Sequence, residues 1–234
     1  GYPVKLAVNV QSQFDESDPN TYNVIAEIPG VDPVIGREVV MAGAHLDSWH
    51  SATGATDNAD GVATVMEAFR ILKTLGVQPR RTIRLGLWSG EEQGLLGSRA
   101  YVQKHLAGDA NAPARDRFSV YFNFDNGFPP IGGLYLEGNQ AAKPIVDAWM
   151  KPLADLGVTA TTLGGIGATD HLSFKAVGLP AFQAVQSYAG YDVRTHHTNA
   201  DFVERIEPDA LKQASVVIAT VLYHAAMRDG KIPR

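Results

Sequence analysis

The sequence has 234 residues, 45% hydrophobic and 19% charged, which is enough apolar material for one generous core and excludes wholesale disorder. Its 25 acidic and 20 basic residues leave a net charge of -5, and the longest basic run is Arg80-Arg81. Nucleic-acid and anionic-membrane partners select for clustered Lys and Arg, so both are disfavoured.

No apolar run approaches the roughly 18 residues that span a bilayer. There is no cysteine, so disulfides, thiolate nucleophiles and cysteine-held zinc are excluded. Any metal must be held by His, Asp or Glu.

In chain order, Gly1-Tyr2-Pro3 passes directly into the alternating segment Val4–Val10, a predicted strand. With no initiating Met and no signal peptide, the sequence reads as a trimmed part of a longer precursor, one domain over 1–234. Further strands are predicted at Tyr22–Ile28, Glu38–Ala44, Thr82–Trp88, Phe118–Phe124, Leu134–Leu136, Thr159–Leu163 and Ala181–Val185. The runs VVMAGA, IRLGLW and VYFNF are nearly continuous in apolar residues, as strands covered on both faces should be.

Helices are predicted at Gly61–Leu75, Gln93–Leu106, Ala141–Leu156, His171–Val177 and Pro208–Arg228. The first carries Val62, Val65, Met66, Phe69 and Leu72 at three- and four-residue steps, and the last opens with Glu207-Pro208-Asp209. The alternation predicts an α/β three-layer sandwich, a mixed sheet of about eight strands with helices on both faces. Segments 127–133, 164–170 and 187–194 are read as loops. In such sheets ligands bind just beyond the carboxyl ends of the strands.

Those ends carry the chemistry. VVMAGA runs into His45-Leu46-Asp47, IRLGLW into Ser89-Gly90-Glu91-Glu92, and VYFNF into Asp125-Asn126-Gly127. Asp57 stands in the turn segment GATDNADG, and His196-His197 lies between the last predicted strand and the last helix. Singly, each piece is an ordinary turn, helix start or exposed loop. Together they gather several carboxylates at one rim. Unit charges about 4 Å apart interact by about 4 kcal/mol at an effective dielectric near 20, so protons or cations must neutralise them.

No Lys or Arg lies inside these motifs, and a bound cation is the simplest remedy. Mixed imidazole and carboxylate ligands favour zinc, with manganese, cobalt or iron as lesser candidates. Successive helical residues diverge by about 100°, so Glu91 and Glu92 point apart. One can hold a metal while its neighbour stays free as a general base for water.

HLDSW, GATDNADGVA, SGEEQGLLGS, FNFDNG and HHTNAD, with YNVIAEIPG upstream, resemble the co-catalytic di-zinc exopeptidases, a family of bacterial zinc aminopeptidases and plasma glutamate carboxypeptidase. The resemblance runs from about residue 4 to 228 and implies an eight-stranded mixed sheet between helices. A protease-associated insert carried by many members is missing. The resemblance further implies two zinc ions per chain, with His45 and Asp125 at the first, Glu92 at the second, Asp57 bridging both, and His197 as the ligand of the final motif.

It gives Glu91 as general base acting on a metal-bridging water, Asp47 as the acid that orients His45, and a cis Asp57–Asn58 bond. His196 stands where many aminopeptidases have Tyr, and is either a donor to the tetrahedral intermediate or a solvent-exposed histidine. The implied substrate is a peptide or dipeptide and the implied location secreted or periplasmic. Oligomeric state, and the choice among aminopeptidase, dipeptidase and carboxypeptidase, stay open.

GATDHLSF resembles a stretch lining the family's pocket, although Thr169 or Asp170 as a helix cap is an equal reading. Tyr188, Tyr191 and Arg194 are subsite candidates or ordinary loop residues. Gly86-Leu87-Trp88-Ser89-Gly90 is not a nucleophile elbow, and GGIGAT lacks the order and spacing of a dinucleotide loop. The remaining alternatives are a non-enzymatic or weakly active scaffold of the same fold and a single-zinc enzyme like the glutaminyl cyclases. The scaffold reading would predict missing ligands or a missing Glu91.

Overall fold

A computed structural model describes residues 2–234; Gly1, first residue of the expected domain, lies outside the described residues. Seven strands form one sheet: β1 (Val24–Ile28), β2 (Val39–His45), β3 (Thr82–Trp88), β4 (Phe118–Asn123), β5 (Phe128–Tyr135), β6 (Ala160–Thr162) and β7 (Ala181–Ser187). Their order is β1-β3-β2-β4-β7-β5-β6. The central run β3-β2-β4-β7 is parallel, β5 and β6 are parallel to each other, and β1 and β5 run antiparallel to β3 and β7. The carboxyl ends of β2, β3 and β4 therefore share one rim.

Period-two geometry builds two cores from the same strands. Val40, Ala42 and Ala44 of β2, with Ile83, Val120 and Phe122, pack under α1 (Asp60–Thr74), α4 (Lys143–Met150) and α6 (Pro208–Met227). Val39 and Met41, with Trp88, Phe118 and Tyr121, pack under α2 (Leu96–His105) and α5 (His171–Lys175). A short α3 (Ala112–Arg117) leads into β4. This is the mixed α/β sandwich that the alternation of elements predicts. Helix α6 is long and apolar enough to resemble a membrane span by length and composition, but it packs on α1, β2 and β5.

Four expectations are corrected. Val4–Val10 forms no strand, so the sheet has seven strands rather than about eight. Val4, Leu6, Val8 and Val10 are all exposed: alternation marks a chain ready to pair, but a strand exists only where an edge takes its backbone groups. The helix expected from Gln93 starts at Leu96, because Gly94 and Leu95 adopt left-handed backbone at φ 108° and 61°. The helix expected over Ala141–Leu156 is α-helical only to Met150 and continues as 3₁₀ turns over Lys151–Leu156, where Pro152 supplies no N–H. Segment 127–133, read as loop, lies largely in β5.

Gly43 is fixed by close approach. A Cβ on Gly43 would run into the Gly86 carbonyl oxygen and come within 2.6 Å of the Tyr121 hydroxyl and 2.9 Å of Trp88 Nε1. Gly43→Ala is expected to cost at least about 1–3 kcal/mol, the usual penalty of overpacking, as a fall in the urea midpoint at unchanged slope.

Candidate metal centre

Strand β2 ends on His45, whose ring is 1% exposed. Its Nε2 lies 3.2 Å from Asp57 Oδ1, 3.5 Å from Asp125 Oδ1 and 3.9 Å from Glu91 Oε2. The other Asp57 oxygen, Oδ2, lies 3.3 Å from His197 Nε2, which is 2.9 Å from Glu92 Oε2. Asp57 thus stands between two imidazoles, one oxygen toward each. The structure brings all five ligand candidates together, with Glu91 beside them.

The neighbours of this cluster hold it in place. Asp57 sits in the turn Ala55–Ala59, and the Asp57–Asn58 peptide is cis, as the resemblance implies. Buried Asp201 accepts the backbone N–H groups of Thr56 at 2.7 Å and Asp57 at 3.1 Å. Asp47, expected to orient His45 through its acid group, meets that ring with its backbone instead. Its backbone carbonyl contacts His45 Nδ1 at 2.9 Å, with its Oδ1 farther away at 3.6 Å. Its two carboxylate oxygens accept the N–H groups of Glu91 (3.0 Å) and Glu92 (3.1 Å). One residue therefore fixes the histidine of β2 and the glutamate pair after β3.

Asp125 is held by a directed chain. Trp88 Nε1 can only donate, and it donates to the Tyr121 hydroxyl at 2.8 Å. That hydroxyl donates to Asn123 Oδ1 (2.7 Å), and Asn123 Nδ2 donates to Thr169 Oγ1 (2.7 Å). Thr169 Oγ1 also accepts the Asp170 N–H at 2.8 Å, so its own proton is left for Asp125 Oδ2, 2.5 Å away. Gln183 Nε2 donates to the Asp125 carbonyl.

Sequence reasoning missed Thr169 and Asp201. It treated Thr169 as a possible helix cap, but its hydroxyl points to the acid, and neither it nor Asp170 caps α5 by a side chain. Asp201 stood unremarked inside HHTNAD.

These residues fit divalent ions. His45 Nε2, Asp57 Oδ2 and Glu92 Oε1 are buried without a hydrogen-bond partner, and such groups are costly unless something else engages them. No Lys or Arg forms an ion pair with any of the cluster's acids among the described residues. One ligand atom each from His45, Asp57 and Asp125 lie within 4.8 Å of one another, as do those from Asp57, His196 and His197. His196 stacks on buried Tyr191, with ring centroids 4.8 Å apart.

The electrostatics record the crowding. Burial and the neighbouring Asp125 push Glu91 up to about 9, and burial with Asp57 pushes Glu92 up to about 8. Burial alone would raise Asp125 and depress His45. Their mutual attraction reverses both, holding the carboxyl low and the imidazole high.

The cluster opens into a cavity of about 390 Å³ lined by Asp57, Glu91, Glu92, Asp125, His196 and His197, with Gly94, Leu95, Arg99, Asn126, Ala168 and Leu172 completing the wall. Four of these, Leu95, Asn126, Ala168 and His197, have left-handed backbone without being glycine, and such strain gathers at functional sites. Tyr188, Arg194 and Tyr191 do not line this wall; Tyr191 instead supports His196 from behind.

The profile of Peptidase family M28 matches residues 23–222. The chain is 32% identical to carboxypeptidase Q of Bos taurus over 217 residues, which is 93% of this chain and 44% of that protein. Among solved structures, the peptidase M28 precursor of Shewanella amazonensis superposes with TM-score 0.80 at 34% identity, covering 92% of this chain and 46% of that one. A zinc aminopeptidase of Bacillus subtilis superposes with TM-score 0.72 at 25% identity, covering 88% and 50%. The chain thus spans about half the length of the relatives it matches.

Two outcomes are expected. Thr169→Val, which removes the hydroxyl at constant shape, should weaken zinc binding at least tenfold by calorimetric titration, with Thr169→Ser restoring it; losing an outer partner typically costs 10–100-fold. The metal-free protein should lose thermal stability as pH rises from about 5 to 9. Unfolded glutamates release their protons near 4.5, whereas folded Glu92 and Glu91 keep theirs to about 8 and 9, so the folded state binds more protons across that window. Saturating zinc should flatten the slope.

Proposed function

Because the chain belongs to peptidase family M28, we propose that residues 1–234 are the catalytic domain of a zinc-dependent exopeptidase, an aminopeptidase or dipeptidase working with two ions. The observation that carries this reading is Asp57 between two imidazoles, 3.2 Å from His45 Nε2 and 3.3 Å from His197 Nε2. His45, Asp57 and Asp125 would hold one ion, and Asp57, Glu92 and His197 the other. Imidazole nitrogens mixed with carboxylate oxygens suit zinc. Bound there, the ions supply positive charge that brings the pKa of water toward 7 and polarises the scissile carbonyl.

The remaining work falls to side chains. Glu91 lines the cavity and makes no side-chain hydrogen bond, so its carboxylate is free to take the proton of the attacking water. It returns that proton to the amine nitrogen as the C–N bond breaks, and no covalent enzyme intermediate is needed. Asp47 fixes the Glu91 backbone, so the base stays in register with His45. His196, steadied by Tyr191, lines the same cavity and donates an imidazole N–H to the developing oxyanion. Substrates are peptides or dipeptides. A secreted or periplasmic location belongs to this reading and rests on the family resemblance.

The scaffold alternative predicts no metal-dependent turnover, and the single-zinc alternative predicts one ion per chain. Metal analysis of the purified protein is expected to return two ions, and hydrolysis of dipeptides and aminoacyl chromogens to stop with chelator. Glu91→Gln is expected to retain metal while kcat falls by about 10²–10⁴. Asp57→Ala is expected to lose both metal and turnover. Wild-type activity in the Glu91 variant would remove it as base.

A further inference from the structure

Arg99 is the one Lys or Arg in the wall of the cavity, among four acids. It sits in the second turn of α2 and makes neither an ion pair nor a side-chain hydrogen bond among the described residues. Its Nη1 lies 4.0 Å from where a Cβ on Gly94 would stand, and the Gly94 N–H is bonded to the Glu91 carbonyl at 2.8 Å. The guanidinium is thus folded back over the loop that carries the glutamate pair. Asp57, Glu92 and Asp125 face the imidazoles and Glu91 makes no side-chain hydrogen bond, so no acid of the wall pairs with the guanidinium and its five N–H donors are free for a ligand.

A second cavity begins at the same residue. About 380 Å³ between α2 and α5 is lined chiefly by Leu95, Val102, Leu172, Ala176 and Val177. It shares Leu95, Arg99 and Leu172 with the first, so the two are neighbours and Arg99 lines both. An apolar cleft with one unpaired cation at its mouth suits a group that is apolar at one end and a carboxylate at the other. The planar guanidinium matches a carboxylate with two parallel hydrogen bonds, and it repels an ammonium.

We propose that Arg99 and this cleft form the subsite for the C-terminal residue of a short peptide. The free α-carboxylate lies on the guanidinium and an apolar side chain lies between α2 and α5. The proposal rests on the exopeptidase reading and adds which end of the substrate is recognised. The residue leaving as amine carries its carboxylate to Arg99, while its nitrogen receives the proton from Glu91.

The test uses the zinc-loaded chain with three substrates: Ala-Leu, Ala-Leu amide and alanine p-nitroanilide. Wild type is expected to favour the free acid over its amide by about tenfold or more in kcat/KM, the worth of a charged hydrogen bond. Arg99→Gln should cut that ratio at least tenfold, mainly through the KM for Ala-Leu, and Arg99→Lys should restore part of it. Calorimetry gives a second readout, because leucine should bind wild type at least tenfold tighter than it binds Arg99→Gln.

If wild type treats acid and amide alike, or the preference survives in Arg99→Gln, the subsite is overturned while the exopeptidase reading stands. If the loaded chain cleaves none of the three, the exopeptidase reading falls and the subsite with it.

Discussion

Everything at this site follows from negative charge packed where water cannot dilute it. Five ligand candidates, three of them acids, and a fourth acid meet at the carboxyl ends of three parallel strands, and Asp57 shares its two oxygens between imidazoles on opposite sides. Such a cluster is unstable alone. Protons relieve it at low pH, which is why burial and neighbouring acids lift Glu91 and Glu92 so far. Divalent ions held there would relieve it at neutral pH without protonating Glu91. On the proposed reading, affinity for metal and readiness for proton transfer come from the same crowding.

The sheet makes the crowding reproducible. Parallel order puts His45, the Glu91–Glu92 turn and Asp125 on one edge, and two helical layers exclude solvent from beneath them. Between the strands runs a chain of donors that begins at Trp88, a group that can only give a proton, and ends at an acid that can only receive one. Its direction is set by chemistry rather than by conformation. Gly43 leaves the space in which the first link forms.

Much of this was legible in the sequence because the controlling patterns are local. Unbroken apolar runs identify β2, β3 and β4, and the acids one to four positions beyond them identify the rim. Val4–Val10 misled because alternation reports readiness to pair and says nothing of a partner. The helix expected across Pro152 changed character at a residue whose effect is local and was underweighted. Thr169, Asp201 and Arg99 were not read because their meaning depends on partners about 40 to 145 positions away, or on a cavity wall assembled from separate segments. A hydroxyl, an acid and a guanidinium in loops or on a helix face look alike until the fold supplies their neighbours.

Asp47 carries a consequence for how such a molecule can change over generations. One side chain anchors the turn that presents Glu91 and Glu92, and the backbone carbonyl of the same residue contacts His45. A substitution there would free the Glu91 and Glu92 N–H groups together, while the backbone carbonyl, which every residue carries, would stay against His45. Descendants could therefore unfasten the glutamate turn in one step and still keep the histidine at the end of β2 in its place.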